Sequence, residues 1–225
     1  MGRAGASARS ARNSCPWPSP EGRCVVEMRV PGTQDARVTR LTQPDEVGEL
    51  IGVLEGLARD LGWRPGGQLR ADCGAALHLA ARANGRTVGG LQVVFGAAGQ
   101  TPPHQRVWPD VAAPKAAAHV TILALHPEWR GRAGLMWPLC VALWRVCKES
   151  GVQTLLLEAT PPTLRVYRRL GFPLEVIGEL RMHWGEECYL CRMGMAEVEA
   201  VLRGKAERSP AYRKIIEDAG LGSAD

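Results

Sequence analysis

The 225-residue sequence predicts an α/β protein: one mixed sheet with helices on both faces. Three observations carry that expectation. An amphipathic helical repeat spans residues 44–61, and an Asn-Gly turn at Asn84-Gly85 separates two extended runs. A strand–loop–helix–strand–helix series then fills residues 118–172, and the resulting order βα-ββ-β-α-β-α-ββ buries these runs best in a single layered domain.

Arg37–Leu41 reads as a first strand. Thr42 is the expected cap of the helix that follows, with Pro44 in its first turn and Asp45 placed against the positive helix end. Val47, Leu50, Ile51, Leu54, Leu57, Ala58 and Leu61 recur at helical spacing, and Gly62 supplies a stop. Residues 75–82 and 87–95 read as a hairpin, because Asn and Gly both tolerate the positive φ of a tight turn. Residues 96–117, with Gly, Pro, Ala and Trp108, read as a long surface loop.

Val120–Leu125 follows as a buried strand, then a loop at Pro127–Arg132 and a helix through Ser150 that stops at Gly151. Thr154–Ala159 is a buried strand and Pro162–Leu170 a short helix. Leu174–Leu180 and Glu187–Met193 close the sheet, with Gly185 near their turn. Ala196–Arg203 and 211–219 read as terminal helical segments.

Composition bounds the function. Residues 1–40 hold seven arginines against three acidic residues, a net of +4 out of the chain's formal +5, so the remainder is nearly neutral and offers no nucleic-acid footprint. Residues 1–24 carry Arg, Ser, Ala and Pro without the apolar run of a secretory signal, and Met28 is a second candidate start. No stretch reaches the roughly 18 apolar residues of a membrane span. Seven cysteines, an odd number with no scaffold spacing, suit a reducing cytoplasm. Cys188 and Cys191 form a lone CxxC within a strand, where alternation sends the thiols to opposite faces, so no metal site is expected. Residues 1–36 are expected to be a disordered N-terminal extension, 37–194 the domain, and 195–225 a C-terminal helical tail.

The chemistry concentrates in His126-Pro127-Glu128-Trp129-Arg130-Gly131-Arg132-Ala133-Gly134. A helix N-terminus offers unpaired N–H groups, and a glycine-bearing loop lets backbone approach a pyrophosphate. Placed between strand and helix, this loop adds the cations Arg130 and Arg132. Trp137, Cys140, Val141, Trp144 and Cys147 form a helical stripe of core type. Trp63, Trp108, Trp129 and Trp184 lie nearer loops and are candidates to line an apolar acyl or acceptor pocket.

The loop, together with Tyr167-Arg168-Arg169-Leu170-Gly171-Phe172, resembles the GNAT acyltransferases, over roughly residues 37–194. That resemblance implies the GNAT-like fold, with a mostly antiparallel sheet, and transfer of an acyl group from a CoA thioester, acetyl-CoA first among them, to a small-molecule or protein amine. It implies a cofactor cradle at Arg130, Gly131, Arg132, Ala133, Gly134 and Leu135. Ala133 replaces the family's first glycine, and Leu135 falls at the second small position. In the family the preceding strand splays from its neighbour, which implies pantetheine contacts at Leu123, Ala124 and Leu125. Counting back eight residues from Pro127 sets His119 where the family carries a glutamate base. Glu158, near the end of the next strand, is a second base candidate. Tyr167 matches the tyrosine that protonates the leaving thiolate, and Thr160 replaces the family's asparagine.

A weaker resemblance runs to the acyl-homoserine-lactone and N-acyl amino acid synthases, through Leu61-Gly62-Trp63, Asp72 and the Gly178…Gly185 ending. Those enzymes take long acyl chains from an acyl carrier protein. The strand shows Ala118-His119-Val120-Thr121 in place of the lactone branch's Glu-x-Ser-Arg, which favours the N-acyl amino acid branch of the two. A third alternative is a non-catalytic module that binds acyl-CoA or a partner. A homodimer is the assembly the resemblance implies.

Overall fold

The computed structural model describes residues 28–29, 35–73, 76–96, 101–130 and 135–218. Its sheet holds eight strands: β1 (Met28–Arg29), β2 (Arg37–Leu41), β3 (Ala76–Ala83), β4 (Arg86–Phe95), β5 (Ala117–Leu125), β6 (Thr154–Ala159), β7 (Glu175–His183) and β8 (Glu186–Gly194). They lie in the order β1-β2-β3-β4-β5-β6-β8-β7, antiparallel throughout except between β5 and β6. Mixed sheet and mostly antiparallel pairing agree with the expected fold class.

Helix α1 (Pro44–Asp60) and the short α2 (Gln68–Ala71) cover one face. Leu50, Ile51, Leu54, Leu57 and Ala58 form the buried stripe of α1, as the periodicity requires. Its cap differs from expectation: the N-cap is Gln43, without a side-chain capping bond, and Thr42 lies one residue outside. Pro44 at the first helical position and Asp45 and Glu46 in the first turn define the start instead. Gly90 makes the close fit possible. A Cβ there would meet Leu50 Cδ1 at 2.9 Å and collide with the Leu79 carbonyl.

Helices α3 (Met136–Glu149), α4 (Pro161–Leu170), α5 (Met195–Ala206) and α6 (Pro210–Asp218) lie on the other face. Leu139, Ala142, Leu143, Trp144, Val146 and Cys147 of α3 are buried against it. Val198 and Leu202 of α5 enter the same core, and Tyr212 meets Trp137 edge-on at 5.8 Å, so the terminal helices dock on the domain. Asn84 (φ 51°) and Gly85 (φ 75°) form the expected hairpin turn between β3 and β4.

Residues 101–116, the described part of the segment expected as a surface loop, run along the surface as a strap anchored by two buried side chains. Pro103–Arg106 forms one 3₁₀ turn with His104 fully buried, and Trp108 is wholly inaccessible. Arg106 makes a bidentate ion pair with Asp72 at 2.9 and 2.5 Å. Trp108 Nε1 donates to the Glu179 carbonyl at 2.8 Å, and Gly178 leaves room for its indole, since a Cβ there would lie 2.7 Å from Trp108 Cδ1. Cys188 and Leu190 complete this small core, whereas Cys191 faces α3, so the CxxC thiols do point to opposite faces.

Beneath α2 a polar cluster is sealed in the sheet. Gln92, fully buried, donates Nε2–H to the Leu69 carbonyl at 2.8 Å and faces His78 Nε2 at 3.1 Å. Its Oε1 accepts the Thr121 hydroxyl at 2.8 Å. His78 therefore serves as an acceptor, and burial pushes its pKa down to about 4. The unfolded chain, with a histidine near 6.5, binds a proton the folded form refuses, so stability falls as pH drops from about 6.5 to 4, by on the order of 2–3 kcal/mol. Urea denaturation at pH 7 and pH 4.5 reads this directly. His78→Gln should flatten the difference, and an unchanged acid sensitivity would assign the effect to another group.

Candidate active site

Strands β5 and β6 pair only from Ala117↔Thr154 to Val120↔Leu157. Beyond that point β5 runs on to Leu125 beside β4 while β6 continues to Ala159 beside β8, and the two diverge into a fork. The cause is local. The β4–β5 register steps from Val93↔Val120 to Gln92↔Ile122, leaving Thr121 as the extra residue of a bulge, and a bulge bends its strand. The Thr121–Gln92 bond holds that residue in place.

A cavity of about 160 Å³ occupies the fork. Val120, Thr121, Ile122 and Leu123 line it from β5, and Leu155, Leu157 and Glu158 from β6. Cys140, Leu143 and Trp144 form its α3 wall; Thr160, the cap of α4, and Thr163 and Tyr167 within it approach from that helix. Trp63, His183 and Trp184 close the opposite side. Most of this lining is aliphatic or aromatic, with a few polar groups converging near Glu158, a combination that suits a chain-bearing ligand with one reactive end.

Both candidate bases meet there. His119 Nε2 lies 2.8 Å from Glu158 Oε1, with the two side chains 4% and 10% exposed. Burial, the strongest influence on Glu158, favours its neutral acid; the charge of and bond from His119, then the charge of His183, outweigh it and hold the pKa below the ordinary carboxyl value. Glu158 is thus a buried carboxylate facing the cavity. His119 stands behind it and does not itself line the cavity.

Burial pushes the Tyr167 pKa up to about 12, which keeps the phenol protonated and able to donate. The Cys140 and Cys188 thiols are likewise pushed up to about 12 by burial, so neither lining cysteine is a thiolate at neutral pH.

The other predicted residues separate. Leu123 faces the cavity, Ala124 packs toward α1, and Leu125 packs toward α3. Arg130 turns back so that its Nε donates to the Leu125 carbonyl at 2.6 Å, closing one acceptor of the fork. Gly131, Arg132, Ala133 and Gly134 lie outside the described residues. Leu135 precedes α3 with its side chain fully buried in the core, so it can offer a ligand only backbone. Thr160 caps α4, its hydroxyl accepting from Thr163 N–H at 3.3 Å, and it borders the cavity.

Of the four loop tryptophans, Trp63 and Trp184 line the cavity while Trp108 and Trp129 pack elsewhere. His183 was not anticipated. It stacks on Trp184 at 4.7 Å in a turn where Trp184 has φ 52°, and the Trp184 carbonyl accepts from Arg64 N–H at 2.8 Å. Only pairing across the sheet brings that hairpin tip beside Glu158, and no spacing in the sequence signals it.

A forked parallel pair within a mixed sheet, with helices on both faces and an apolar cavity between the strands, defines the chain as an acyltransferase of GNAT-like fold. The family model described as N-acyl amino acid synthase FeeM matches residues 72–193, and the chain belongs to that family. FeeM itself, an N-acyl amino acid synthase from uncultured soil microbes, superposes with a TM-score of 0.65 at 15% identity over 75% of this chain and 95% of that one. BjaI, a CoA-dependent acyl-homoserine lactone synthase solved with SAM and isopentyl-CoA, gives 0.60 at 14% identity over 84% and 91%. A GNAT-family protein from Desulfovibrio desulfuricans gives 0.50 at 16% identity over 71% and 99%. No curated protein sequence matches the chain. Among the described residues, no helix is long and apolar enough to cross a membrane.

Proposed function

We propose that the protein moves a medium or long acyl chain from a pantetheine thioester, on CoA or on an acyl carrier protein, to the amino group of a small acceptor of the amino-acid class. The observation that carries this reading is the apolar cavity in the β5–β6 fork, which ends at Glu158 and Tyr167. An acetyl group would leave that lining largely unfilled, whereas each methylene buried there contributes about 0.8 kcal/mol. Family membership and the likeness to FeeM support the acceptor class.

In this reading the Glu158 carboxylate takes a proton from the acceptor ammonium, with His119 as its counter-ion. The free amine attacks the thioester carbonyl, and an N–H of β5 beyond Val120, where β6 no longer pairs, stabilises the oxyanion. Collapse breaks the C–S bond; the Tyr167 hydroxyl protonates the departing thiolate, and the second proton of the new C–N nitrogen passes to the Tyr167 oxygen, restoring the phenol. Leu123 and the loop that begins at Arg130 bind the pantetheine and its phosphates.

The test is a product screen. Acetyl, octanoyl and palmitoyl thioesters, each on CoA and on carrier protein, are incubated with amino-acid pools, and N-acyl products are read by mass spectrometry. Octanoyl or palmitoyl amides are expected to dominate. Acetylated products alone would return the enzyme to the short-chain acetyltransferase reading. No product from any donor, with the protein folded, would favour a binding module.

A further inference from the structure

Two buried imidazole rings in edge contact each carry a nitrogen without a hydrogen-bond partner. His119 and His104 are 3% and 0% exposed; the Nδ1 of each lacks a hydrogen-bond partner, and His119 Nε2 has only its ion-pair contact with Glu158. Their rings meet edge-on, with centroids 5.8 Å apart and planes inclined at 77°. An orphaned buried polar atom is costly, so such a pair of rings asks for an explanation.

The partners on the outer edges settle which nitrogen does what. His104 Nε2 lies 3.2 Å from the Val111 carbonyl, which can only accept, so Nε2 carries the His104 proton and Nδ1 keeps a lone pair. Burial, then the charge of His119, pushes the His104 pKa down, which preserves that neutral form. Across from it, His119 turns Nε2 to the Glu158 carboxylate, and in its charged state it bears a second N–H at Nδ1. One ring therefore has a lone pair to spare and the other an N–H to place.

We propose that His104 is a positioning residue whose Nδ1 accepts the Nδ1–H of His119 and so holds that ring as the imidazolium counter-ion of Glu158. The terminal torsion of a histidine is soft, which lets the ring adjust toward that contact. The strap supplies the rigidity: the Arg106–Asp72 pair fixes one side of the 3₁₀ turn and the Trp108–Glu179 bond the other. Other titratable groups near the pair are His183 on β7 and Cys188 and Cys191 on β8, each interacting with Glu158. The inference rests on Glu158 and His119 forming the proton-accepting pair of the proposed reaction.

Low-field proton NMR of the full chain tests it without turnover. An exchange-protected imidazole N–H resonance that disappears in His119→Gln is the expected signature. Asparagine places its side-chain oxygen where histidine carries Nδ1, so His104→Asn should retain the resonance and stay close to the parent rate. Glutamine reaches the Nε2 position and phenylalanine keeps only the packing, so both should lose the resonance and lower kcat by roughly 10–100-fold with little change in thioester KM. Survival of the resonance in a folded His104→Phe protein, or equal behaviour of the Asn and Gln variants, would overturn the proposal. Full activity in Glu158→Gln would instead overturn the catalytic reading, leaving the NMR result to stand alone.

Discussion

Glu158→Gln is expected to lower the acyl-transfer rate by about a hundred- to ten-thousandfold while leaving thioester binding nearly intact. Glutamine matches the carboxylate in size but cannot take a proton, and a positioned general base contributes on that scale. The pH dependence follows from the same pair. The Glu158 pKa is held below its ordinary value, so the carboxylate is already charged across the neutral range and is lost only on acidification below the usual carboxyl range. Any acid limb of the rate profile near pH 6–7 then belongs to another group, and it should persist in Glu158→Gln if residual activity is measurable. The measurements are steady-state kcat and KM with the preferred thioester, alongside a melting curve showing that the variant folds. A rate within threefold of the parent would remove Glu158 from the mechanism, because acid–base catalysis cannot be that small.

Trp108→Ala should produce the largest loss of stability of any single change in the strap, about 3–5 kcal/mol. The indole is fully buried, packs on Gly178 and Leu190, and gives its N–H to the Glu179 carbonyl. Truncation opens a cavity and orphans that carbonyl together, against a typical total stability of only 5–15 kcal/mol. Urea denaturation monitored by far-ultraviolet dichroism reads the shift. Trp108→Phe separates the two contributions, since it restores most of the volume but not the donor. A loss below 1 kcal/mol for the alanine variant would mean that the strap is not part of the cooperative unit. Because the strap carries His104 and braces β7 near His183, activity in Trp108→Ala should fall more steeply than the folded fraction.

Legibility in the sequence followed the range of the interactions. Helix α1, the Asn84-Gly85 hairpin, β6 and the CxxC geometry were all readable, because periodicity and turn chemistry are decided within a few residues. The anchoring of the strap was not legible, for the opposite reason. Its Gly, Pro and Ala look like solvent-facing loop, and nothing nearby says that Trp108 has a seat waiting at Gly178, seventy residues later. Likewise His119 and Glu158 were separate candidates for one role, and Leu135 was assigned to the cradle although its side chain enters the core.

The sequence by itself determined the α/β class, the order of the elements and the acyltransferase resemblance, since each is written in local pattern and motif. Only the tertiary structure decided that His119 and Glu158 form one buried pair, that the cavity lies in the fork beside Tyr167, and that His104 and His183 stand near that pair. Those facts depend on strand order and on a one-residue bulge at Thr121. A parallel pair joins residues more than thirty positions apart, and a shift of one residue in register turns a side chain to the other face, so no local pattern can encode which groups meet.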